Sequence, residues 1–95
     1  MKETSNNFLN NARQYACKDP YKIALLQCMG AKIIKRDATD PRNVVFLLEH
    51  ENIAAFVDAI HSGTTGQYLK EDAEKYAEYH KDIMGYIRDV RTNRG

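Results

Sequence analysis

The period of the hydrophobic positions changes several times along the chain, and each change marks an element. Arg13 to Lys18 alternates polar and apolar, with Tyr15 and Cys17 on one face, the period of two that a half-buried strand requires. Asp19-Pro20 then reads as a helix start. Asp can accept from the orphan amides of a first turn, and Pro at the first helical position gives up no hydrogen bond. Gly30 is the matching stop. Between them Tyr21, Ala24, Leu25, Cys28 and Met29 form one stripe while Ile23 and Leu26 point elsewhere, so this helix is expected to be covered on two sides.

Ala31 to Arg36 and Asn43 to Leu48 read as the strands of a hairpin, joined by Asp37-Ala38-Thr39-Asp40-Pro41-Arg42 with its turn-forming Asp and Pro. Val44 to Leu48 is an unbroken apolar run. A strand with one wet face alternates, so the run predicts a central strand that meets helices or a partner on both faces. Glu51 to His61 places Ile53, Phe56, Val57 and Ile60 at helical spacing, and Gly63 closes it. Beyond Ser62-Gly63-Thr64-Thr65-Gly66, a long third helix is expected from near Leu69 to about Arg91, with Leu69, Ala73, Tyr76, His80, Ile83, Met84, Ile87 and Val90 as its stripe.

The order strand, helix, strand, strand, helix, helix predicts an α+β domain. A crossover followed by a hairpin gives a small three-stranded sheet ordered first, third, second, covered by helices and ending in a long amphipathic C-terminal helix. Residues 1 to 12, rich in Asn, read as a flexible N-terminal arm, and 13 to 95 as a single domain.

Composition narrows the function more than the fold. Of 95 residues, 43% are hydrophobic and 28% charged, which suits one modest core under a solvated surface. Fourteen Lys and Arg against thirteen Asp and Glu leave a formal charge of +1, which argues against both a strongly basic nucleic-acid binder and an acidic DNA mimic. No stretch approaches the ~20 apolar residues of a membrane span. The start of the chain lacks the apolar core of a signal peptide, and two cysteines are too few for a disulfide framework. A cytoplasmic protein with no membrane partner is therefore expected.

Asp19-Pro20-Tyr21 to Gly30, Arg42-Asn43-Val44-Val45-Phe46-Leu47-Leu48-Glu49, and the helix carrying Phe56 and Val57 resemble a family of small uncharacterised domains common in bacteriophages and mobile elements. In that family an early helix ends in Gly and a Phe-centred strand precedes an acidic turn, and the likeness spans roughly residues 13 to 91. It implies a phage-like source and little more; the expected location is the cytoplasm of a bacterial host cell. The family has no known active residues to carry over.

Catalytic chemistry is sparse. Cys17, Cys28, His50, His61 and His80 lack the short paired spacings that preset a tetrahedral zinc site, so neither a metal nor another cofactor is expected. His80 falls in an apolar stripe, and His61 near a helix C-terminus complements its dipole. Gly63-Thr64-Thr65-Gly66 lacks the Lys-Ser or Lys-Thr of a phosphate loop. The expectation is a protein that is not an enzyme.

The informative surface is the third helix. At ~100° per residue, Lys70, Lys81 and Arg88 line one shoulder of its stripe and Tyr79 and Tyr86 the other, and tyrosine offers large contact area at low entropy cost. Gly85 in the helix interior signals a kink or the close approach of another backbone. Leu69, Tyr76, Ile83 and Val90 recur at sevens, a spacing compatible with a homodimer paired through this helix. A second charged site combines Lys32, Lys35, Arg36 and Arg42 of the hairpin with Arg88, Arg91 and Arg94, and could meet phosphates. Two readings follow. The first is a small protein that binds a host protein or protein–nucleic acid complex, for example an anti-CRISPR-like inhibitor of bacterial defence; the second is a nucleic-acid-binding accessory factor.

Overall fold

Cap and turn chemistry sets the element boundaries. A computed structural model describes residues 13–94, with strand β1 at Gln14–Cys17, helix α1 at Pro20–Cys28, β2 at Lys32–Asp37, β3 at Val45–Glu49, α2 at Ile53–Ser62, a 3-10 turn at Thr65–Gln67 and α3 at Ala73–Arg94. The reading of residues 1–12 as an arm lies outside the described residues. Asp19 caps α1 by accepting from the Tyr21 amide at 3.0 Å, with Pro20 opening the first turn. The chain leaves α1 at Gly30 with φ 111°, and α2 ends at Gly63 in the left-handed conformation, φ 75°.

The sheet has the order β1-β3-β2 and is antiparallel throughout. Chain order places the α1 crossover between two strands that never touch, because β3 inserts between them. Phe46 and Leu48 of β3, 1% and 0% exposed, turn to the helices. There they form one core cluster with Tyr15 and Cys17 of β1, Ile23 and Leu26 of α1, Ile53 and Phe56 of α2, and Ile83 and Ile87 of α3. As its all-round apolar sequence requires, α1 is sandwiched, packing on α3 as well as on α2 and the sheet.

The other face of the sheet is different. Ala16, Val45 and Leu47 are half-buried and Ile34 is 46% exposed, and none of the four belongs to the core cluster. Among the described residues this face has no covering layer. The molecule is accordingly thin: its extents are 41 × 37 × 20 Å, and 20 Å accommodates one sheet and one layer of helices.

β2 carries a bulge. Ile33 pairs with Leu48 and Lys35 with Leu47, leaving Ile34 as an extra residue. One extra residue reverses the alternation of everything after it. Strict alternation from Ile33 would have turned Lys35 toward the helices and Arg36 away from them. Instead Arg36 pairs with core-facing Phe46, while Lys35 joins Leu47 on the open face.

Three features of the third helix depart from the sequence reading. It starts at Ala73 rather than near Leu69, because Asp72 accepts from the Lys75 amide at 3.1 Å and so caps the first turn. Leu69 stays outside the helix, 39% exposed, and the Lys70 amide bonds the Cys28 carbonyl at 2.9 Å. The inward stripe is Tyr76, Tyr79, Ile83, Tyr86, Ile87 and Val90, so both tyrosines are half-buried parts of the packing rather than a free shoulder, and Met84 is 41% exposed. Among the described residues Gly85 has no other backbone against it; a Cβ there would meet only the Arg88 guanidinium at 4.0 Å.

Candidate binding site

The reactive groups are buried. Cys17 and Cys28 are buried free thiols, and burial pushes both above the usual thiol range, so neither is primed as a thiolate. Cys17 makes a long contact to the Asp19 carbonyl, at 3.8 Å, and neither thiol bonds a histidine. His50 Nδ1 accepts from the Asn52 amide at 2.9 Å, and its ring lies tilted against Phe56, centroids 4.5 Å apart. His80 stacks on Tyr76 at 5.9 Å. Among the described residues no group of three or more His, Cys, Asp and Glu converges on a point where a metal could sit, and no helix is long and apolar enough to cross a membrane.

The residues singled out from sequence fall into separate environments. Tyr79 lies under the Lys75 ammonium, 5.3 Å from the ring centre. Tyr86 packs edge-on against Phe46 at 5.7 Å, with the Arg36 guanidinium 5.4 Å above its ring. Arg36 and Tyr86, 50 positions apart, are therefore neighbours, brought together by the bulge in β2 and the passage of α3 over the sheet. Lys81 and Arg88 are exposed, about 200° around the helix from Tyr79 and Tyr86 at ~100° per residue, and share no site with them.

The hairpin cations are divided. Lys35 stands on the open face and Arg36 on the helix side, while Arg42 sits in the β2–β3 loop among acids. In that loop Asp37 accepts from Thr39, and Asp40 accepts from the Arg42 amide at 3.0 Å and the Asn43 side chain at 2.9 Å. Hydrogen bonds from Thr39 hold the Asp37 carboxyl below the usual carboxylate range, and those from Asn43 and Arg42 do the same for Asp40. Arg91 is drawn into this loop as well, its Nε donating to the Pro41 carbonyl at 3.2 Å.

Two surfaces remain with unmet physical requirements. One is the open sheet face of Ala16, Ile34, Val45 and Leu47, bordered by Lys32, Lys35 and Glu49. The other is a cleft of about 260 Å³ between β2 and α3, closed behind by Gln27 of α1 and lined by Ile33, Arg36, Asp82 and Tyr86. Sequence reasoning found Arg36 and Tyr86 but not Gln27 or Asp82, which carry no local signal; only the tertiary arrangement assembles them. Compared with known proteins, the chain matches no family model, no curated protein and no solved structure.

Proposed function

We propose that this domain is a non-enzymatic binding module that docks on a host protein through the open face of its sheet, for example as a phage-type inhibitor of bacterial defence. One observation carries the reading: β3 is apolar on both faces, and among the described residues only one of them is covered. Val45 and Leu47 lie in the middle of the sheet, flanked by Ala16 and Ile34, where a helix layer or a partner completes strands of this composition. Buried, protonated thiols support a role that needs shape rather than reactivity.

Three strands spaced ~4.8 Å apart present a face far smaller than the ~800 Å² per partner of a standard interface. The partner must therefore reach past the apolar centre onto the rim, where Lys32 and Lys35 stand beside Glu49 and Asp37 and favour a border of mixed charge on the other side. Leu47→Glu tests this. The variant should keep the wild-type circular dichroism spectrum while losing a stoichiometric partner that the wild type recovers from bacterial lysate. It should also fail to protect an infecting phage in a host with active defences. Equal recovery and equal protection by the two proteins would remove the open face from the function.

A further inference from the structure

The two edges of the sheet are built differently. β2 carries a bulge at Ile34 and the exposed cations Lys32, Lys35 and Arg36, features that deter a further strand. β1, the other edge, has none of them. Gln14–Cys17 contains no charge, no Pro and no shift of register against β3. Lys18, just beyond it, is turned toward the Asn43 side-chain oxygen at 3.3 Å.

One bond fixes the direction of the β1 peptide groups. The His50 amide donates to the Arg13 carbonyl at 2.8 Å, which makes Arg13 and His50 a hydrogen-bonded pair of the ladder. Antiparallel pairs alternate, so Tyr15 and Cys17 also turn their N–H and C=O groups to β3, while Gln14 and Ala16 turn theirs outward. No hydrogen bond among the described residues meets these outward groups. Donors and acceptors alternating at strand spacing are matched by another extended backbone.

A second copy of this strand supplies that backbone in a register that wastes nothing. Paired antiparallel about a twofold axis at Tyr15, Gln14 exchanges both peptide hydrogen bonds with the partner subunit's Ala16, and Ala16 does the same with the partner subunit's Gln14. Every outward group of Gln14 and Ala16 is then used. Centring the axis on Gln14 or on Ala16 instead leaves the other residue unmatched. The chosen register also sets the two Tyr15 rings directly opposite on the helix side, a favourable cross-strand aromatic pair. α3, whose repeat at sevens suggests helix pairing, has little of that stripe to offer, because Tyr76, Ile83 and Val90 pack on the domain's own core.

We infer that the β1 edge is a self-association surface, joining two copies of this chain into one twofold-symmetric, six-stranded sheet. Ala16 and Leu47 of both copies then lie on a single open surface about twice as wide, which brings it nearer the ~800 Å² per partner of a standard interface. The pairing stands on the peptide groups of β1 and does not depend on docking to a host protein. Its contact area is small, so the dimer is weak: largely monomer at about 5 µM and largely dimer at about 1 mM.

Sedimentation of the full chain across that range, with amide hydrogen exchange at both ends of it, tests the inference. The mass should double with concentration. The Gln14 and Ala16 amides should exchange freely in the dilute protein and at least ~5-fold more slowly in the concentrated one, while the Tyr15 and Cys17 amides, bonded to β3, are protected in both. Ala16→Pro removes an outward N–H and no bond to β3, a change that edge strands accept, and should give a folded protein that stays monomeric at about 1 mM. If that variant fails to fold, the exchange pattern of the wild type decides alone. A monomer at about 1 mM would overturn the inference. So would a dimer whose Gln14 and Ala16 amides stay unprotected, which places the contact elsewhere, or equal protection of these amides at every concentration, which shows the edge covered within one chain. Leu47→Glu changes the open face two strands from the axis and should still dimerise, so loss of host docking and loss of self-association are read separately.

Discussion

Leu47 and Leu48 are adjacent in β3 and differ only in the face they serve, which makes them a matched pair for testing the one-sided architecture. Leu48 is 0% exposed within the helix-facing core. Its truncation to Ala leaves a cavity that the surrounding Tyr15, Ile33 and helix side chains cannot close, and buried Leu→Ala changes cost about 2–5 kcal/mol. Leu47 is half-buried and opposite Ala16 and Lys35, so its truncation removes cross-strand contacts worth about 0.2–1 kcal/mol and part of a transfer term of about 0.8 kcal/mol per methylene. The expected loss at Leu47 is about 1 kcal/mol, at most half of that at Leu48. A charged residue separates the cases further: Leu47→Lys should be tolerated, since its ammonium can reach water, whereas Leu48→Lys should abolish folding. Urea unfolding followed by circular dichroism gives the four values. A Leu47→Ala cost equal to that of Leu48→Ala, or a Leu47→Lys protein that does not fold, would show that the second face is covered and would refute the reasoning.

Gly85→Ala should stabilise the domain by about 0.5–1 kcal/mol, because the new Cβ meets only the flexible end of Arg88 while the helix gains propensity; a loss of stability in thermal unfolding would contradict this. Gly30→Ala should destabilise by about 1–3 kcal/mol through backbone strain at φ 111° rather than through collision, since the nearest atom, His50 Nε2, would lie at 3.5 Å. Asp37 and Asp40 have folded-state values below those of an unfolded chain, so their contribution is complete above the ordinary carboxylate range and fades as pH falls through the lowered values; carboxyl-carbon NMR titrations with ordinary midpoints would be the contrary result. Cys17 and Cys28 should react with a thiol reagent at neutral pH only as fast as the domain opens, with a rate that rises with denaturant, and a rapid phase in the native protein would count against their burial.

The strand order was readable from the chain because its signals are local and strong. Asp19-Pro20, Gly30 and Gly63 act within a few residues, and the apolar run of β3 distinguishes a central strand from an edge one. Leu69 reads as the first apolar position of the stripe, which puts the start of α3 too early. Asp72, a polar residue whose side chain accepts from the first turn, is the signal that decides it. The inward face of α3 differs for a related reason: tyrosine is ambiguous between a wet and a dry position, and Tyr79 and Tyr86 are each half-buried against the core. No pattern in Lys32-Ile33-Ile34-Lys35-Arg36 announces a bulge, because two adjacent isoleucines satisfy either register. The separation of Lys35 from Arg36, and with it the composition of both candidate surfaces, lay beyond sequence reading for that reason.

The bulge is also what makes one thin sheet able to serve two surfaces. A strand segregates its side chains by parity, so without an extra residue Lys35 and Arg36 would exchange places. Lys35 would then turn its ammonium toward the helix layer beside Phe46 and Tyr86, and Arg36 would crown the open face. The observed phase puts the flexible, strongly hydrated ammonium on the rim, where it can snorkel beside Leu47, and puts the planar guanidinium against the Tyr86 ring, where stacking and directional donation are usable. Each cation occupies the site that its hydration and geometry suit. The cost of an unpaired Ile34 at the sheet edge is offset by a twisted, lysine-flanked edge that resists further strand addition. A partner docked on this domain, as proposed, would therefore meet the face of the sheet rather than the β2 edge.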